Sequence, residues 1–174
     1  MPRRTRRPRP AATLQLNLID RARFAALLEP QRPLRAILVG WLVTSIPAVA
    51  LAAIAARLLP NAASPDLPHG GLFPFLLVVV ISPLLETMIM AVVIEVGLLF
   101  LPPLAVVILS SIGWGIAHSL AAPAWGLVIW WPFLIFSTRY VTWRGQGRAK
   151  AILLVAAVHA LNNFLPALLL LRSA

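Results

Sequence analysis

Apolar side chains in this chain run in long blocks, separated by short stretches of Pro, Gly and Arg. A helix that crosses a bilayer needs about 20 mostly apolar residues. Residues 36–59 meet that requirement, with Pro47 inside as the expected kink. The next block, 72–101, is longer than one upright crossing needs, so Pro83 is expected to break or tilt it. Pro102 and Pro103 close it, and blocks 104–120, 123–137 and 151–171 complete the series. Between them, 60–71 and 139–150 read as loops. The pattern predicts an all-α fold. It is a polytopic transmembrane helical bundle of about five spans over residues 36–174, preceded by a separate region, 1–35.

Composition agrees. Hydrophobic residues make up 60% of the chain and charged residues 11%, with a mean hydropathy of +0.90. A soluble domain is usually about 45–50% apolar and about 25% charged, so lipid is the expected solvent. With no cysteine, disulfides, thiolate metal sites and cysteine nucleophiles are excluded.

The net charge of +10 is concentrated. Residues 1–35 hold nine Arg against Asp20 and Glu29, a surplus of seven, and Arg139, Arg144, Arg148 and Lys150 carry most of the rest. Both clusters flank apolar blocks, which is the positive-inside pattern and not a nucleic-acid patch. The N-terminus and the 139–150 loop are therefore expected in the cytoplasm. Residues 1–10, with three Pro and five Arg, read as a disordered tail that attracts anionic lipid headgroups. Residues 13–29 read as an N-terminal interfacial helix or a short cytoplasmic docking helix. No cleavable signal peptide is expected, because the basic start is not followed by a short apolar core.

Polar groups inside lipid cost energy and usually mark function. The blocks contain Glu86, Glu95, His118, His159, Asn162 and Asn163. His159 and Asn163 are four apart and share a helix face, as do Trp114 and His118. Glu86 and Glu95 are nine apart and point to roughly opposite faces, so they are not expected to pair. Glu95, near a block end, is expected to snorkel or to pair with Arg144 or Arg148. At about 1.5 Å per residue, Glu86 lies about 22 Å from its cytoplasmic end, His118 about 21 Å, His159 about 12 Å and Asn163 about 18 Å. Three helices thus bring an acid, two imidazoles and an amide to comparable depth. A carboxylate in apolar surroundings can act as a general base near neutral pH. Imidazoles bind a metal or orient a water, and an amide can hold an oxyanion. Asn162 is expected to make a helix–helix polar contact, and Gly113 and Gly115 to permit close approach. Trp114 is expected to pack at the site wall, and Trp125, Trp130 and Trp131 to sit at the membrane interface.

These residues resemble the three short motifs of the CPBP family, the CAAX proteases and bacteriocin-processing enzymes also called Abi proteins. That family's pattern is Glu-Glu-x-x-x-Arg, then Phe-x-x-x-His, then His-x-x-x-Asn. Here the first motif reads Ser82-Pro83-Leu84-Leu85-Glu86-Thr87-Met88-Ile89-Met90-Ala91. The second reads Trp114-Gly115-Ile116-Ala117-His118, and the third His159-Ala160-Leu161-Asn162-Asn163. Order and spacing match over residues 73–166. Thr87 stands in place of the second family Glu and Ala91 in place of the Arg.

The resemblance implies a membrane-embedded CAAX-type endopeptidase, a metalloprotease, cutting a peptide or protein substrate near the cytosolic side. Glu86 with His118 would activate water, and His159 and Asn163 would bind metal or stabilise the oxyanion. The implied metal set is Glu86, His118 and His159, with a divalent ion, zinc being the candidate. The Ala-, Leu- and Arg-rich composition suggests a bacterial inner membrane. Two other functions compete. The losses at Thr87 and Ala91 favour an inactive scaffold or immunity protein on the same fold. A transporter using Glu86 as a proton relay lacks a visible inverted repeat.

Overall fold

The computed structural model describes residues 30, 32–63, 65 and 71–172, with side chains through residue 168. The basic tail and the expected interfacial helix at 13–29 lie outside them. Five helices follow one another: α1 (Pro33–Leu58), α2 (Leu72–Gly97), α3 (Pro103–Ala121), α4 (Gly126–Trp143) and α5 (Arg148–Arg172). There is no strand among the described residues. Prolines start α1 and α3, where a missing N–H costs nothing. Four helices are long and apolar enough to cross a membrane: α1, α2, α3 and α5 through Leu168. Their outward residues, such as Leu38, Ile89, Leu109 and Leu153, are exposed and apolar, as lipid contact requires. The chain is an integral membrane helical bundle.

The remaining helix, α4, is the axis of the bundle and touches all the others. Phe133, Phe136, Tyr140 and Trp143 are fully buried along it, meeting Met90 and Ile94 of α2 and Val155 and Val158 of α5. Ser137, Thr138 and Arg139 lower its hydropathy. Their hydrogen bonds end on protein: Ser137 donates to Ser110 (3.0 Å), Thr138 to the Leu134 carbonyl (2.7 Å) and Arg139 to the Ala36 carbonyl (3.1 Å). This corrects the reading of 139–150 as a loop. The helix runs on through Trp143, because buried partners replace the water that Arg139 was expected to seek. The connection is only a 3-10 turn, Arg144–Gln146, and Gly147 in a left-handed conformation at φ 123°. Likewise α2 ends at Gly97, and residues 98–101 form a tight turn.

Close helix approach depends on two glycines. A Cβ on Gly126 would overlap the Gly115 carbonyl and the Ser119 hydroxyl. One on Gly115 would meet the Trp130 side chain at 3.2 Å, so α3 and α4 touch through backbone there. Gly113, expected to do the same, faces open space.

Two prolines leave carbonyls without their usual donors, and side chains from other helices supply replacements. In α1, Pro47 cannot donate to Val43 four residues earlier. Trp131 Nε1 donates to the Val43 carbonyl at 3.0 Å, so Trp131 joins α4 to α1 and is not merely an interface anchor. In α2, residues Leu77–Ile81 form a π turn in which the Ser82 N–H reaches the Leu77 carbonyl, five residues back. The same offset would give the Val78 carbonyl to Pro83, which has no N–H. Asn163 Nδ2 of α5 fills that place at 3.1 Å. An open backbone carbonyl in lipid costs several kcal/mol, which explains why both are met.

Candidate functional site

Three helices bring Glu86, His118 and His159 together. Pro83 precedes Glu86 by three residues and the π turn ends five residues before it, so both lie just upstream on α2. Its Oε2 lies 4.0 Å from His118 Nε2 on α3 and 3.9 Å from His159 Nε2 on α5. Both gaps exceed hydrogen-bond length, and one water oxygen fits between such groups. Glu86 is partly exposed at 27%, whereas the side chains of His118 and His159 are 13% and 6% exposed.

Aromatic rings from α4 hold the imidazoles. Phe136 lies against His159 with centroids 4.5 Å apart, and Phe133 meets both His159 (5.5 Å) and His118 (5.6 Å). Trp125 stands edge-on to His118 at 4.7 Å. Trp114 stacks on Phe133 at 4.3 Å and so forms part of the site wall. The four rings leave each imidazole little rotational freedom, which pre-positions the Nε2 atoms.

The two histidines differ in their second nitrogen. His118 Nδ1 lies 2.8 Å from the Trp114 carbonyl, an acceptor, which places a proton on Nδ1 and leaves Nε2 as a lone pair. His159 Nδ1 is buried without a hydrogen-bond partner. The tautomer that faces a partner has its proton on Nε2, toward Glu86. These assignments follow from the hydrogen-bond partners. One imidazole can thus accept at the gap and the other donate.

A divalent metal is implied by the donor set, and the geometry fits it poorly. Two ligands of tetrahedral zinc at about 2.1 Å from the ion stand about 3.4 Å apart, closer than either gap here. A metal-bound imidazole also needs a partner for its other N–H, which His118 has and His159 lacks. Among the described residues no group of three or more His, Asp or Glu is spaced as a metal cage.

Asn163 lies one turn beyond His159 on α5, but its amide nitrogen is bonded to Val78. Asn162 accepts from Ser45 of α1 at 3.1 Å, the expected interhelical contact. Thr87 is buried with a hydroxyl that has no partner, and Ala91 packs in the core. No cation stands beside Glu86 on its own helix.

Glu95 belongs to a second polar cluster. Arg144 donates to its two carboxylate oxygens at 2.8 and 2.7 Å, Arg148 lies 2.9 Å away, and Tyr140 donates at 2.9 Å. The expected pairing of Glu95 with Arg144 or Arg148 holds for both arginines, and the carboxylates of Glu86 and Glu95 serve different places. Tyr140 was not anticipated. Its spacing of four from Arg144 on a helix was the available signal.

No protein-family model, no curated protein and no solved structure matches this chain.

Proposed function

We propose that this chain is an intramembrane peptidase in which Glu86 activates water. The observation that carries the reading is a carboxylate set between two imidazole Nε2 atoms, 3.9 and 4.0 Å away, within an apolar bundle. Water held in that gap would donate one proton to Glu86 while its oxygen attacks a peptide carbonyl carbon. The His159 Nε2–H is placed to donate to the oxyanion that develops, and His118 Nε2 to orient the water through its second proton. Glu86 then returns its proton to the leaving amine, so water and peptide become acid and amine. No step here requires a metal. The motif resemblance to CPBP proteases supports the same reaction. The flanking arginines support an N-terminus in the cytoplasm, the Ala-, Leu- and Arg-rich composition a bacterial inner membrane, and the motif resemblance a peptide substrate on the cytosolic side.

A second reading, an inactive scaffold or immunity protein, is favoured by one observation: the Asn163 amide is committed to Val78, which takes away an oxyanion donor.

Cleavage of a peptide library by the purified protein, with and without chelator, tests both. Glu86→Gln is expected to lower cleavage by about 10²-fold or more at an unchanged unfolding midpoint. Equal cleavage by Glu86→Gln would sink the role of Glu86, and a wild type that cuts no peptide supports the scaffold. Loss of cleavage on chelation would overturn the metal-free step and point to a divalent ion such as zinc.

A further inference from the structure

Away from that site, α2 and the start of α5 border an outward-facing groove of about 440 Å3. Met88, Val92 and Val96 line it along α2 and Leu99 in the turn that follows, and all four are exposed. Met88 lies nine residues, about 13 Å, deeper than the end of α2 at Gly97. The polar wall consists of Glu95 and Arg148, the latter being the first residue of α5. The groove therefore begins at the polar boundary of the bundle and runs inward along apolar side chains.

Its charge is unbalanced. Glu95 supplies one negative charge against Arg144 and Arg148. Two cations minus one carboxylate leave a surplus of one. Arg148 is 70% exposed and touches Glu95 through one nitrogen, so most of its five N–H donors face outward.

We infer that this groove binds one anionic phospholipid, with an acyl chain along Met88, Val92 and Val96 and the phosphate on Arg148. Charge selects the occupant. A lipid tail gains nothing by leaving other tails for an apolar groove, so tail burial confers no preference. Preference arises at the headgroup, where each basic residue is worth about fivefold. The groove shares no residue with the site at Glu86, so this inference stands apart from the peptidase reading.

Native mass spectrometry of the full chain in detergent, titrated with phosphatidylglycerol or phosphatidylcholine of matched acyl chains, reads the binding directly. The wild type is expected to retain one phosphatidylglycerol with at least about fivefold preference. Arg148→Gln should bring the preference within about twofold. Val92→Trp, which fills the groove from an exposed position, should reduce retention of that lipid without altering the unfolding midpoint. Val92→Trp leaves both Glu95 ion pairs in place and serves if Arg148→Gln unfolds. Equal retention of the two lipids by the wild type overturns the inference. So does an unchanged preference in Arg148→Gln, or unchanged retention in Val92→Trp.

Discussion

Asn163 illustrates how one side chain can be read two ways. Its spacing from His159 marks it for chemistry, whereas its hydrogen bond marks it as the donor that Pro83 cannot be. The second role makes a sharp prediction. Asn163→Ala leaves the Val78 carbonyl unpaired and is expected to cost about 1–3 kcal/mol of stability in detergent. In a Pro83→Ala background the backbone regains an N–H, and the same substitution should cost less than about 0.5 kcal/mol. Equal costs in the two backgrounds would show that the pair is not coupled. Glu86, His118 and His159 were legible in the sequence because ionisable groups stand out in apolar blocks. The partner of Asn163 was not, because a backbone carbonyl leaves no trace in residue types and its need arises only from the π register.

At the scale of elements, the turn between α4 and α5 is held to α2 by Glu95. Two of its ion pairs differ in value. Arg144 is one-third exposed and grips both carboxylate oxygens, whereas Arg148 is mostly in solvent. Exposed pairs contribute about 0–1 kcal/mol and charged hydrogen bonds about 1.5–3 kcal/mol. Arg144→Gln is therefore expected to lower the unfolding midpoint more than Arg148→Gln does, and chemical denaturation of the two variants measures it. A larger effect from Arg148→Gln would contradict the geometry. The bonds from Glu95 also hold the Arg144 guanidinium above its ordinary range. A raised value means that this stabilisation is complete below the unfolded-state value and fades only as pH rises through the folded one. The Arg144 contribution should thus be constant in midpoints measured from pH 6 to 9. The sequence marked 139–150 as a loop because four basic residues cluster there. Burial of Arg139 against Ala36 reversed that, since a charge inside a bundle is tolerable where protein supplies its acceptors.

For the whole molecule the open matter is orientation. Four helices, α1 to α4, separate the N-terminal arginines from the Arg144–Gln146 turn, and α4, with 18 residues, is about 27 Å long. That length is close to the hydrocarbon core of about 30 Å, so α4 is expected to cross among its neighbours. The positive-inside rule then predicts both basic clusters on one side. The chain contains no cysteine, so single replacements report cleanly. Ala11→Cys and Gly145→Cys are expected to react with an impermeant maleimide from the cytoplasmic side, and Asn61→Cys from the other. Labelling of Ala11→Cys and Gly145→Cys from opposite sides would remove α4 from the crossing helices.

Length and apolarity of the blocks determined by themselves that this chain is a helical membrane bundle, because lipid leaves a backbone few ways to satisfy its hydrogen bonds. They also determined which polar residues would be worth seeking. Only the tertiary structure decided that α4 lies at the centre, that Glu86 faces both imidazoles, and that Trp131 and Asn163 serve carbonyls orphaned by proline. Those facts depend on how helices rotate against one another. Rotation is set by packing at Gly115 and Gly126 and by single hydrogen bonds between distant residues, which apolar patterning along one helix does not encode.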